Sequence, residues 1–519
     1  MQQDPVEHTE ALIGSARELR EKLLGDPQRP RYHFLPPAAW MNDVNGTLFW
    51  RGRYHLFYQH NPLGAYWHLM HWGHASSTDL VHWVHHPIAL APTPDGPDRE
   101  GCFSGNAVVH DGVPTLVYHG TPDGTCLATP EDDELLRWRK HPANPVIRVP
   151  RGGEPEHGRY QVYDPWAWQD GGCWYVLCGG HEAARGDTAY LFRSTDLVHW
   201  EYRHPFYRSD GRWTELGEDC AVPCFFPLGE RHVLLFVSHK YGAQYYVGRY
   251  RDERFEPEQH GRMNWAGGQL IAPMTLRDPH GRQLFFGWVC EAIHNCSSRA
   301  AGWAGVMTLP RELSLDEKGR LGVEPVPELQ VLRLGHSQRQ PFRLEADEEL
   351  TLDEVHGDGL ELAVEMTSHH AHRFGVKVRC SPDGAEETAI TFSPHRGTLS
   401  LDTRRSSLRQ DVVQPWPCPW GVMYPNPLER RVLPFHTEPV DIEHVAVQEA
   451  PLELDAEEPL RLRVFLDRSV LEVFANGRQC VTQRLYPSRD DSVGVRLFAH
   501  GAAAEVRSLE AWEMAAAGV

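Results

Sequence analysis

The sequence predicts an all-β protein: an N-terminal five-bladed β-propeller followed by a C-terminal β-sandwich, with a short N-terminal helix ahead of both. Three observations predict it. From residue 28 onward the chain is a succession of short apolar and aromatic runs punctuated by Gly, Pro, Asp and Asn. The heptapeptide STDLVHW stands at residues 77–83 and again, letter for letter, at 194–200. Beyond about residue 330 the texture shifts to strands that alternate polar and apolar residues between Gly and Asp-Gly turns.

Taken in order, residues 5–24 place Ala11, Leu12, Ala16, Leu19, Leu23 and Leu24 at helical spacing, and Gly25-Asp26-Pro27 ends that helix; residues 1–27 form an extension. The propeller is assigned to 28–330. Its strands read as Thr47-Leu-Phe-Trp50, a turn at Arg51-Gly52, then Arg53 to Tyr58. A weaker copy of the repeat, DELLRW at 133–138, falls between the two perfect ones, at intervals of 55 and 62 residues. Four-stranded blades that reuse one turn and one packed aromatic give such spacing, and about five of them fit the stretch. A polar, Pro-containing link (316–329) then leads into the sandwich, 331–519, where LRLRVFL at 460–466 and SVLEVF at 469–474 alternate inward and outward residues.

With 519 residues the chain exceeds a single core, and two domains follow. A formal charge of -20 repels phosphate backbones and anionic lipid, so the expected partner is a small neutral ligand, not nucleic acid and not a membrane. The N-terminal segment lacks a basic start followed by an apolar run, and no stretch has the apolar length of a membrane span. Eleven cysteines, an odd number without a CxxC pair, read as reduced thiols, and a cytoplasmic enzyme is the expectation. Nothing in the sequence speaks to oligomeric state.

Loops gathered at one end of a propeller funnel bring distant acids together. Three acidic positions are candidates. Asp43 lies in WMNDVNG (40–46), between two asparagines and beside a tryptophan; amides and an aromatic plane suit a sugar, and an Asx turn capping the next strand fits the same letters. Asp164 lies in VYDPW (162–166), which an Asp-Pro turn also explains. The third is ELGEDCAVP (215–223), with Glu215, Glu218 and Asp219 ahead of an apolar strand. Cleavage of a glycoside with retention needs two carboxyls about 5–5.5 Å apart, one nucleophilic and one protonated, and the residues alone do not choose among the three.

Over nearly its whole length the chain resembles glycoside hydrolase family 32, the invertases, inulinases and levanases. WMNDVNG resembles the family's WMNDPNG with Val44 in place of proline; FYQHNP (57–62), HWGHA (71–75) and CFSG (102–105) follow in the family's order. Tyr163-Asp164-Pro165 stands where the family has RDP; GWAG (302–305), TLPREL (308–313), VFLDRS (464–469) and EVF (472–474) match later segments. The resemblance implies a retaining hydrolase of β-D-fructofuranosides, with Asp43 as nucleophile and Asp164 stabilising the oxocarbenium-like transition state. It also implies that Asn42, Gln59, Trp67, Phe103 and Ser104 line the fructose pocket, and that no metal or organic cofactor takes part. A fructosyltransferase of the same fold, including one that closes a difructose anhydride, and a non-catalytic sugar-binding propeller are the rival readings.

Two positions depart from the family's pattern. Tyr163 replaces an arginine that binds sugar hydroxyls beside the stabilising acid, and a phenol cannot supply a five-donor cation; its loss also removes one influence that keeps Asp164 ionised. The family's general acid sits in a short ECP segment. Counted back from Pro223 without gaps, its place falls on Ala221, whereas a bulge between Gly217 and Val222 would bring Glu218 there, with Asp219 and Glu215 as fallbacks. Glu218 is therefore the expected acid. His68, His71 and His74 recur every third residue, but in a loop and strand that spacing points them apart, and no metal site is expected.

Overall fold

In the computed structural model residues 18–19, 21–182, 184–293, 295–368, 370–416, 443–455 and 457–517 are described. The expected N-terminal helix is seen at residues 18–19 and 21–25, and the rest of the segment assigned to it lies outside the described residues.

Five antiparallel sheets, each built on four strands in a meander, follow one another from Ala39 to Pro325. Their innermost strands are Ala39–Trp50, Gly101–His110, Trp166–Asp170, Ala221–Leu228 and Leu270–Arg277. Each touches the next, and the fifth touches the first, so the sheets close into a propeller. Trp303–Ala304 pairs in parallel with Ala39 and Trp40, tying the end of the ring to its beginning. The repeated heptapeptide is a turn shared by the first and third sheets. Ser77 and Asp79 bond to each other, the Asp79 carboxylate accepts the amides of Val81 and His82, and Leu80 takes a left-handed φ of 66°. Asp196 repeats this with Val198, His199 and Leu197 (φ 64°). Trp83, Trp138 and Trp200 each donate Nε1 to the carbonyl of the leucine three residues earlier. The DELLRW copy is thus the same turn in the second sheet, with its carboxylate supplied by Asp132.

The inner strands share a second feature, at the end where they enter the ring. Pairing with the neighbouring strand slips between Met41 and Val44, between Cys102 and Gly105, between Ala221 and Cys224, and between Ile271 and Met274. In the third sheet Asp164, at φ 47°, and Pro165 occupy the equivalent place just before the strand. Such bulges re-aim side chains that a regular ladder would bury. Gly105 closes the second of them: a Cβ there would stand 2.0 Å from the Val117 carbonyl oxygen.

Beyond Arg333 two further sheets, of seven and six strands, face each other across a core of Leu, Val, Ile and Phe, forming the β-sandwich. A buried polar cluster joins it to the propeller. Arg311 of the fifth sheet donates Nη2 to Glu472 at 2.9 Å and to Thr482 at 2.6 Å, while His33 bridges Asp467 and Glu472. Neither Arg311 nor Glu472 keeps any solvent contact, so the Arg311 charge is balanced by Glu472, and that of Glu472 by Arg311 together with His33.

Candidate active site

The bulged strand entrances surround one cavity of about 540 Å³, and each of the five sheets contributes to its wall through Asp43, Phe103, Asp164, Val222 and Ala272. Asp43 is the best-held of them. Its Oδ1 accepts Asn42 Nδ2 at 3.1 Å; its Oδ2 accepts Gln59 Nε2 at 3.3 Å and the Ser104 hydroxyl. Gln59 also donates to Ser104 at 2.6 Å, and Asn42 is itself oriented by Trp40 Nε1 at 2.9 Å. A carboxylate gripped on both oxygens can present only one face to a ligand. Burial raises the Asp43 carboxyl above its ordinary range, and the hydrogen bonds from Ser104 and Asn42 oppose that rise.

Asp164 shares the cavity and accepts the Val222 amide at 3.2 Å. Burial first, and then the negative charge of Asp43, push its carboxyl up to about 7. That is the direction implied by tyrosine instead of arginine at 163, because position 163 supplies no guanidinium beside it. Asn42, Gln59, Trp67, Phe103 and Tyr163 line the same cavity, with Trp67 set edge-on to Phe103 at 5.8 Å between ring centroids, while Ser104 is wholly buried behind Asp43. Asp43, Asp164, the five residues expected to line the pocket, and Tyr163 are therefore brought together.

Glu218 is not. Its side chain has no solvent exposure; Oε1 accepts the Glu215 amide at 2.8 Å and Oε2 accepts Gln244 Nε2 at 2.7 Å, deep in the fourth sheet and away from the cavity wall. The expected irregularity is present, but it falls at Val222 (φ 44°) and Pro223, on the cavity side of Glu218, so the chain turns before the carboxylate can reach in. Glu215 faces outward and pairs with Lys240 at 2.9 Å. Asp219 comes closest: it accepts the His239 amide at 2.9 Å and holds His239 Nδ1 at 2.6 Å, and the Tyr163 hydroxyl donates to it at 3.4 Å. Of the three histidines spaced by three, His68 is exposed while His74 is buried and stacked on Phe57.

His239 itself lines the cavity and was missed by sequence reasoning. Burial works against its protonation, yet Asp219, followed by Asp164 and Asp43, outweighs it and holds the imidazolium up to about 9. The one signal available was position: a histidine at the end of an apolar strand, directly before a Lys-Tyr-Gly turn.

Residues 33–325 match the N-terminal domain of glycosyl hydrolases family 32, and residues 328–513 match the family's C-terminal domain. The chain belongs to family 32. Within it, the raffinose invertase of Escherichia coli is 32% identical over 95% of this chain and 96% of its own length. A sucrose-6-phosphate hydrolase of Zymomonas mobilis is 30% identical over 95% and 94% respectively. The crystal structure of fructan 1-exohydrolase IIa from Cichorium intybus superposes with a TM-score of 0.80, at 25% identity, covering 95% of this chain and 98% of that one. This family 32 protein is a glycoside hydrolase of the β-fructofuranosidase type.

Proposed function

We propose that the enzyme hydrolyses neutral, unphosphorylated β-D-fructofuranosides with retention, through a fructosyl intermediate on Asp43. The observation that carries this is the grip on Asp43: donors on both oxygens fix an ionised carboxylate in the cavity, poised for attack on an anomeric carbon. Asp164, in the same cavity, is the carboxylate that supports positive charge developing on the ring, and it does so when ionised. Asn42 and Gln59 offer amide groups to sugar hydroxyls, and Trp67 and Phe103 offer ring faces to its apolar side.

The cavity wall supports the neutral substrate. Among the described residues no Lys or Arg lines it, and the His239 imidazolium is outnumbered by Asp43, Asp164 and Glu100, so a phosphate would meet more negative charge than positive. Its volume suits a disaccharide or short oligosaccharide better than a lone hexose. Relatives of both habits are known by name, an invertase of raffinose and hydrolases of sucrose 6-phosphate, and a Bombyx mori relative has been seen with sucrose bound. The purified enzyme, given sucrose, sucrose 6-phosphate, raffinose or inulin, should release free fructose from the neutral sugars and at least tenfold less from the phosphorylated one. A new oligosaccharide or anhydride as main product, or a preference for sucrose 6-phosphate, refutes the proposal. Asp43→Ala should abolish turnover without unfolding the protein.

A further inference from the structure

A retaining cleavage needs a proton for the departing oxygen, and the carboxylic acid expected to give it is absent from the cavity. Position 221, where a gap-free count puts the family's acid, is alanine, and Glu218 is committed elsewhere. The vacancy has a neighbour. Ala221 pairs with Val237 on the adjacent strand Arg231–Ser238, and His239 is the first residue of the turn that follows that strand. Val237 and His239 both line the cavity. A histidine thus enters from the end of the second strand of the sheet, beside the place from which an acid on the first strand would project.

We infer that His239 is the proton donor to the leaving sugar oxygen, with Asp219 as the positioning residue that orients it. This rests on the fructosidase reading above and deepens it. Asp219 engages Nδ1 at 2.6 Å and accepts the His239 amide at 2.9 Å, which fixes the ring and directs exchange with a substrate through Nε2. In the first step an Asp43 oxygen bonds to the anomeric carbon, the glycosidic C–O bond breaks, and the electron pair leaves with the departing oxygen, which takes the proton from Nε2. In the second step neutral His239 receives a proton from water as the water oxygen attacks the same carbon and Asp43 is released, restoring the imidazolium. Atoms and charge balance with water as the only co-reactant. Among the described residues the charged and titratable groups around His239 include Asp219, Asp164 and Asp43, with the Tyr163 hydroxyl on Asp219. All three carboxylates favour the cation, so the donor is loaded at neutral pH.

The test compares sucrose with an aryl fructoside whose nitrophenolate leaves without help. His239→Ala should lose about 100-fold or more in kcat on sucrose and under tenfold on the aryl substrate. The wild-type profile of kcat/KM should carry an alkaline limb near pH 9 that this variant lacks and that Asp219→Asn shifts downward. Ala221→Glu added to His239→Ala should restore sucrose cleavage with an alkaline limb in a carboxyl range. Equal losses on both substrates, or a wild-type profile flat to pH 10, overturn the assignment; the wild-type profile needs no variant to fold. Mass spectrometry of acid-quenched wild type separates the two claims. A fructosyl adduct on Asp43 with a dispensable His239 sinks only this inference, whereas no adduct and no fructose from any fructoside sinks the fructosidase reading.

Discussion

Asp164→Asn should stabilise the protein while disabling it. The Asp164 carboxyl titrates near 7 in the fold, against 3.8 for a free side chain, because burial and Asp43 both disfavour its charge. The folded state therefore binds one proton more than the unfolded state between those values, and stability drains as pH rises through that window, the loss being complete above about 7. Three pKa units at about 1.4 kcal/mol each put the cost at about 4 kcal/mol at pH 8. Asp164 keeps partial contact with solvent, which makes that figure a ceiling. An asparagine carries no charge, and its carbonyl oxygen can still accept the Val222 amide. In urea unfolding the variant should exceed wild type at pH 8 by up to that amount, and the gap should narrow by roughly 3 kcal/mol at pH 5. A variant no more stable than wild type at pH 8, or a gain that is the same at both pH values, refutes the argument. Activity should fall at both.

Three further outcomes follow from the same geometry. The acid limb of kcat/KM should lie near 7, where Asp164 loses its proton, well above that of an unperturbed carboxylate; a limb near 4 would show that burial does not govern the site. Ser104→Ala removes one donor from Asp43, which pushes that carboxyl further up, and kcat at pH 6 should drop roughly tenfold, the worth of one hydrogen bond to a charged group. Arg311→Met leaves Glu472, buried between propeller and sandwich, with His33 and the Leu309 amide as partners and should cost up to about 3–5 kcal/mol, of which Arg311→Met with Glu472→Met recovers part; urea midpoints measure both.

The fold was legible because the repeat is a physical unit. Serine, aspartate, a left-handed leucine and tryptophan close the same turn wherever they recur, so two copies announced a ring of similar sheets. Asp43 was legible for a different reason: its partners Asn42 and Trp40 sit beside it in sequence, and Gln59 and Ser104 lie in segments of the same resemblance. The proton donor was not. Along the chain Glu218 is nearer to the required place than His239, but position 239 becomes a neighbour of 221 only once two strands pair, and no local pattern encodes that register. Glu218 misled for the complementary reason, since a buried carboxylate bonded to Gln244 and a backbone amide looks in sequence like any other acid before a strand.

The slipped pairing at the mouth of the inner strands separates two burdens that usually fall on the same residues. Where the ladder is interrupted, neighbouring backbones do not dictate what each side chain must be, and the five entrances bear as different a set as Asp43, Phe103, Asp164, Val222 and Ala272. Letters there can change without dismantling the ring. An acid can vanish from one strand and a histidine at the end of the next can enter the same cavity, so that chemistry drifts around the rim while the architecture beneath it stays fixed.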